Sequence, residues 1–294
     1  MTAFADRLVD SVRRANTPLC VGLDPLPDKI PALFGPPGSL TALRNFCENI
    51  VTLAAHHCAV LKPQLAFFEP FGADGYAIAA EMTARARALG LIVILDAKRG
   101  DIGTTAEGYA RATLGPAPGL DADCVTINPY LGLDSLEPFI AAAEKNAKGA
   151  AVLVRTSNPG ARDLQDLNCD GAPLWRRVAE MIAPLAPRLA GHNWSGLMAV
   201  AGATYPDEAR ALRKLLPTSL LLVPGYGAQG ASAADAVAGF THGAHGLEGG
   251  VVSSSRAVLY PQSATSAGAL ASWREAIGAA MSATAGELRA ACAN

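Results

Sequence analysis

The residues best suited to chemistry in this sequence are Asp96, Lys98 and Asp101, set in the stretch Leu91–Thr105, L-I-V-I-L-D-A-K-R-G-D-I-G-T-T. Five apolar residues run directly into them. An apolar, β-branched run of that length reads as a buried strand of a parallel sheet. Side chains alternate along a strand, so Asp96 and Lys98, two apart, are expected to share a face at its C-terminal end. Gly100 then lets the chain turn, and Asp101 falls just past the strand. Two carboxylates and an ammonium at the mouth of a buried strand are costly as pure structure. The plainer alternative is a helix cap with a surface ion pair.

Other polar residues follow apolar runs in the same way: Asp24, Lys62, Asn128, Thr156 with Ser157, Gln229 and Arg256. The elements that must position them are strands expected at Leu19–Leu23, Ala59–Leu61, Leu91–Leu95, Cys124–Ile127, Ala151–Val154, Leu197–Val200, Leu220–Val223 and Gly249–Val252. Eight strands alternating with helical patterns predict an α/β fold, a single (β/α)8 TIM-barrel domain over residues 1–294. A doubly wound open sheet is the competitor, but no G-x-G-x-x-G follows the first strand. In a barrel the C-terminal strand ends carry the chemistry. Any one polar residue there could be a loop residue or a cap; together they favour a site.

With half its residues apolar, the chain can bury a large core, and a net charge of −2 argues against nucleic-acid or membrane partners. Six cysteines are scattered without a C-x-x-C pair, which fits a reduced, cytoplasmic setting. Residues 1–16 carry Phe4, Leu8 and Val12 at helical spacing, an N-terminal amphipathic helix without the apolar core of a signal peptide. No apolar run is long enough to span a bilayer, so a soluble protein is expected. Leu33–Leu40 and Leu114–Asp121 carry Pro-Gly turn signals and are expected only to connect elements. Residues 157–173, after the fifth strand, are long, polar and punctuated by Gly and Pro. A lid over the site and a plain surface excursion both fit that segment.

The seventh strand ends in P-G-Y-G-A-Q-G, Pro224–Gly230, and the eighth leads to S-S-S-R, Ser253–Arg256. Glycines let backbone N–H groups approach an anion, and the start of a following helix would add its positive end. Gln229 can donate a neutral hydrogen bond, and Arg256 offers a planar fork suited to a phosphate. A tight turn alone explains the glycines, but the loops after strands seven and eight are the habitual phosphate site of this barrel.

Across the barrel mouth the expected order is Asp24, Lys62, Asp96, Lys98, each charge flanked by its opposite and so kept ionised. A Schiff-base lysine must be neutral to attack. Lys98 beside carboxylates is instead a proton donor or an anion stabiliser. A hard cation wants several carboxylates, and Lys62 places an ammonium among them, so no metal is expected. His56, His57, His192, His242 and His245 all precede their strands, on the wrong side for the site.

These residues carry a resemblance. D-A-K-R-G-D-I-G resembles the D-x-K-x-x-D motif of the orotidine 5′-phosphate decarboxylase family, and Asp24, Lys62, P-G-Y-G-A-Q-G and Arg256 match its other signatures in order. The length and the K-R-G-D-I-G-T-T wording are similar to the longer bacterial subgroup. The resemblance implies cofactor-independent decarboxylation of orotidine 5′-phosphate to uridine 5′-phosphate, the last step of de novo pyrimidine synthesis. On that reading Lys98 protonates C6 and Asp96 faces the substrate carboxylate. Lys62 orients Asp96 and, like Asp24, contacts the ribose. Asp101, with Ile102 and Thr105, would enter a neighbouring subunit's site, implying a homodimer with shared active sites. Ser157 would bond the pyrimidine, while Pro224, Gln229 and Arg256 would line and hold the phosphate end of the pyrimidine nucleotide monophosphate. Two departures stand out: Ser255 occupies a position where many members have Gly, and the segment after Ser157 matches no family pattern.

The chemistry agrees with that assignment. Loss of carbon dioxide from C6 leaves charge in an in-plane orbital that the ring cannot spread, so a prepositioned cation must stabilise it. Three rivals remain. The first is a metal-dependent enzyme of the same barrel group acting on sugar phosphates, in which an acidic ligand stands in place of Lys62. The second is a catalytically silent phosphate-binding barrel. A fused phosphoribosyl transfer is the third, and the residues to house it are lacking.

Overall fold

The computed structural model describes residues 2–227 and 229–293. Its centre is a closed, all-parallel barrel of eight strands. They are β1 (Leu19–Leu23), β2 (Val60–Pro63), β3 (Ile92–Arg99), β4 (Cys124–Ile127), β5 (Gly149–Arg155), β6 (Ser195–Ala201), β7 (Ser219–Val223) and β8 (Gly250–Ser254). They run around the barrel in chain order, with β8 closing onto β1. All eight expected strands are present, and β1 and β4 have the expected bounds.

Parity along the strands decides what faces the lumen. Cys20, Val60, Ile92, Ile94, Cys124, Ala151, Met198, Val200, Leu220, Leu222 and Val251 form the inner core. Their neighbours Leu19, Val21, Leu61, Val93, Leu95, Val125 and Val152 pack outward into the larger layer beneath the helices. Continuing the inward parity to the strand ends reaches Lys62 after Val60, Asp96 after Ile94 and Thr126 after Cys124. The same alternation that builds the core therefore delivers polar side chains to the mouth.

Helix α1 (Phe4–Ala15) is the expected N-terminal helix, and its Phe4, Ala5, Leu8 and Val9 join the inner core. It covers the N-terminal end of the barrel, leaving the C-terminal end open. The outer helices are α2 (Leu40–His57), α3 (Gly72–Ala88), α4 (Gly103–Leu114), α5 (Leu133–Lys145), α6 (Leu174–Ile182), α7 (Pro206–Leu215) and α8 (Leu270–Ala293). Four cysteines, Cys20, Cys47, Cys58 and Cys124, are buried, and all six are free thiols. Among the described residues no helix is long and apolar enough to cross a membrane.

The segment after β5 has structure of its own. A 3-10 turn (Pro159–Ala161) runs into a single helical turn (Arg162–Gln165), and Asn168–Cys169 pairs antiparallel with Ala172–Pro173.

Candidate active site

Asp96 is the hub of the barrel mouth. Lys62 Nζ donates to its Oδ2 at 2.7 Å, Lys98 Nζ to its Oδ1 at 2.6 Å, and Thr126 Oγ1 to the same Oδ1 at 3.1 Å. Lys62 and Asp96 are buried, whereas the Lys98 side chain is 48% exposed and faces the opening. Burial works against the charge on Asp96, but the two ammonium groups outweigh it and hold the carboxyl well below its usual range. Burial likewise opposes the charge on Lys62. Asp96 and then Asp24 overcome it, so this ammonium keeps its proton well above the ordinary lysine value. The site thus holds a buried anion between two cations, Lys62 shielded from solvent and Lys98 at its edge.

Two expectations need correction. Lys98 does not reach Asp96 by simple alternation: its φ is +48°, and the β3–β4 register slips between Leu95 and Arg99. A left-handed residue in a bulge re-aims the side chain. The left-handed turn is therefore made by Lys98 and not by Gly100. Thr126, which the sequence reading passed over, holds this bulge by accepting from the amides of Ala97 at 3.0 Å and Lys98 at 2.9 Å. Its only sequence signal is one hydroxyl at an inward position of C-V-T-I.

Asp24 ends the row differently from the expected pairing. Among the described residues it forms no ion pair, and its buried Oδ1 has no hydrogen-bond partner. It influences Lys62 through space. The turn that carries it is fixed by Tyr260, whose hydroxyl donates to the Asp24 carbonyl at 2.9 Å and accepts from Leu26 N at 2.7 Å. A buried carboxylate oxygen without a partner is costly and is the group most in want of a hydroxyl donor.

Lys62, Asp96 and Lys98 form one wall of a cavity of 330 Å³, with Leu153, Val200 and Leu222 as an apolar floor and Ser157 and Pro224 on the far side. A groove lined by Ser157, Arg162, Tyr205 and Gln229 adjoins it. The combination of apolar floor and few convergent polar groups is that of a small-ligand site. Cavities of 450 and 570 Å³ lie elsewhere, one against α1 and His245, the other around His56 and His57, and neither touches the charged row.

At the proposed phosphate end, Gly225 has φ +97° and Gly227 φ +69°, and a Cβ on Gly225 would stand 2.8 Å from Ser157 Cβ and 3.0 Å from Gln229 Oε1. Glycine is therefore needed for both backbone shape and space. Ala228 lies outside the described residues. The expected helix start after β7 is not open to an anion. The single turn Ala233–Ala236 is closed by a capping box in which Ser232 Oγ accepts from Asp235 N and Asp235 Oδ2 accepts from Ser232 N. Arg256 is exposed just past β8 and, among the described residues, makes no ion pair. Ser255 fits because Gly22 on β1 lacks a Cβ, which would fall 1.9 Å from Ser255 Oγ.

Asp101, Ile102 and Thr105 are not brought into this cavity. Asp101 Oδ1 accepts from Ile102 N at 2.8 Å, and Ile102 projects outward, 58% exposed. Tyr109, Tyr130, Leu131 and Leu133 are also exposed on the segments following β3 and β4.

Comparison with known proteins bears on this geometry. The family model for the orotidine 5′-phosphate decarboxylase / HUMPS family matches residues 17–270. An orotidine 5′-phosphate decarboxylase of Rhodopirellula baltica is 42% identical over 272 residues, covering 88% of this chain and 89% of that one. The structure of Leishmania donovani OMP decarboxylase superposes with a TM-score of 0.78 at 30% identity, over 99% of this chain and 98% of the other. Leishmania donovani UMP synthase matches at 33% identity with the same TM-score, and this chain spans 57% of its length. With that breadth of match, the chain belongs to the orotidine 5′-phosphate decarboxylase / HUMPS family.

Proposed function

We propose that this chain decarboxylates orotidine 5′-phosphate to uridine 5′-phosphate without a cofactor, using Lys98 as the acid. The observation that carries the proposal is Asp96 held between Lys62 and Lys98 above an apolar floor. The C6–carboxylate bond breaks, its electron pair stays on C6, carbon dioxide leaves, and Lys98 delivers the proton that fills the vacancy. The ammonium is in place before charge develops, so little reorganisation opposes the step. Asp96 would lie against the departing carboxylate. Lys62 and the unpartnered Asp24 oxygen would take the ribose, Ser157 the pyrimidine, and Gln229 with Arg256 the phosphate. Grip on the remote phosphate can be spent on aligning the ring.

Two further assignments belong to the same reading. Asp101, Ile102 and Thr105 would complete the site of a second copy in a homodimer. The outward Ile102 and the nearby exposed Tyr109, Tyr130 and Leu131 support this, because such apolar groups call for cover. Lys62 in direct contact with Asp96 disfavours a sugar-phosphate enzyme built on a divalent cation, since it puts an ammonium where a ligand would be needed.

The test is carbon dioxide release from orotidine 5′-phosphate by the purified chain in excess chelator. Lys98→Ala is expected to abolish release while leaving uridine 5′-phosphate affinity within about threefold. Near-normal turnover in Lys98→Ala would falsify the proton-donor role.

A further inference from the structure

We infer that Arg155 is a positioning residue that holds Ser157 toward the pyrimidine by tying the segment after β5 into a fixed arch. The inference rests on the decarboxylase reading for what Ser157 contacts.

Arg155 is the last residue of β5 and is 1% exposed. Ala151 belongs to the inner core and Leu153 packs against it, so alternation would aim Arg155 into the lumen as well. The β5–β6 register instead shifts between Leu153 and Arg155, and the guanidinium lies 3.8 Å over the ring of Tyr205. Its Nη1 is 2.7 Å from Asp166 Oδ1, in the segment after β5, and its Nη2 is 3.5 Å from Glu208 Oε1, on α7. Nε and Nη1 are both buried without a hydrogen bond of good geometry among the described residues, so the tie to Asp166 is an ion pair held by charge. A buried guanidinium with incomplete hydrogen bonding is poor economy if the position only fills space, where an apolar side chain would serve. What this one does is join two elements that flank Ser157.

A second tie runs beside the first. Thr156 N donates to Gln165 Oε1 at 3.0 Å, and Gln165 Nε2 donates to Thr156 Oγ1 at 2.8 Å. Residues 165 and 166 are thus both pulled back onto the end of β5, and the chain between them closes into an arch. Ser157 and Asn158 lie at its foot and line the cavity. From the other side Thr204 Oγ1 donates to the Ser157 carbonyl at 3.3 Å, and a Cβ on Gly202 would stand 2.9 Å from Ser157 Cα. Tyr205 carries a second guanidinium, that of Arg162, at 5.8 Å, so the arch is also clipped from its helical turn. Ser157 is consequently held from both sides, by the arch and by the turn after β6.

The test compares two ligands, uridine 5′-phosphate and ribose 5-phosphate, on wild type, Arg155→Met, Ser157→Ala and the double variant. Only the first ligand carries a pyrimidine. Arg155→Met is expected to weaken uridine 5′-phosphate by about tenfold, the size of one lost hydrogen bond, and to leave ribose 5-phosphate within about twofold. In the Ser157→Ala background Arg155→Met should cost nothing further, because both changes remove the same contact. Arg155→Lys, which keeps the charge for Asp166 and loses the stacked fork, should recover part of the loss. Additive losses in the double variant, or equal weakening of both ligands, would overturn the inference. Should Arg155→Met not fold, Gln165→Ala reads the same coupling from the arch side and is judged by the same two outcomes. A wild type that releases no carbon dioxide sinks the decarboxylase reading alone, since the ligand comparison needs no turnover.

Discussion

Thr126 and Lys98 come from neighbouring strands and meet through one hydroxyl: Thr126 Oγ1 accepts the Lys98 amide at 2.9 Å while donating to Asp96 Oδ1 at 3.1 Å. The backbone that aims Lys98 and the carboxylate that receives its ammonium are therefore registered by the same atom. Since Lys98 sits at φ +48°, a conformation that costs a non-glycine residue of order 1 kcal/mol, the hydroxyl offsets a real strain.

Thr126→Val keeps the shape and removes the hydroxyl. It leaves two amides without their acceptor and Asp96 Oδ1 with Lys98 as its remaining donor, so stability should fall by about 1–3 kcal/mol. On the proposed mechanism turnover should fall by about tenfold to a hundredfold, because a displaced ammonium would no longer meet C6 in line. Urea unfolding and carbon dioxide release on one preparation check both. A variant that loses stability with unchanged turnover would show that Thr126 does not aim Lys98.

The pH dependence follows from Asp96. Its carboxyl in the folded protein titrates below the ordinary value of 3.8, so the unfolded chain takes up the proton first on acidification. The stability it contributes is fully present above that value and is lost as pH falls through the folded one. The gap in unfolding free energy between wild type and Asp96→Asn should then be widest near about pH 7 and narrow steadily below about pH 4. Denaturant titrations across that range measure it. A gap independent of pH would mean the lysines do not stabilise the ionised form.

The charged row was legible because Asp96 and Lys62 continue the same inward alternation as Ile94 and Val60, and an apolar strand ending in charge is visible in one dimension. For Lys98 alternation gives the right face for an incomplete reason, because the bulge that puts it there depends on Thr126, 28 positions on. Arg155 escaped for the same cause. Its partners Asp166, Tyr205 and Glu208 are scattered in the chain, and a lone arginine after V-L-V looks like a strand end. The capping box at Ser232 and Asp235 was readable as S-A-A-D, yet the glycine-rich turn before it drew the phosphate reading onto a helix start already occupied by its own carboxylate.

Asp101 provides a test of subunit sharing. It lies outside this chain's cavity, so on the dimer reading its charge acts in the neighbouring copy. Asp96→Ala and Asp101→Ala are each expected to be inactive alone. Mixed and allowed to exchange subunits, they should regain up to about a quarter of wild-type activity, because half the dimers are hybrid and each hybrid rebuilds one intact site of two. Subunit exchange is followed by fluorescence transfer between labelled chains. A mixture that exchanges and stays inactive would place Asp101 in its own subunit's chemistry or outside it altogether.

The pairing of Gly22 with Ser255 accounts for the serine that departs from the family pattern before Arg256. A Cβ at position 22 would fall 1.9 Å from Ser255 Oγ and 3.0 Å from its Cβ, so the two side chains cannot coexist without moving β1 or the turn that presents Arg256. Gly22→Ala alone should cost about 1–3 kcal/mol, as overpacking in a rigid layer does. If Arg256 holds the phosphate, the same change should weaken uridine 5′-phosphate, because the turn yields more easily than the barrel. Adding Ser255→Gly clears the space that the new methyl needs, so the double variant should regain most of both losses, whereas Ser255→Gly alone should change affinity little. Thermal unfolding and nucleotide titration on the four proteins complete the cycle. Failure of the second substitution to rescue the first would show that Gly22 is required for some reason other than room for Ser255.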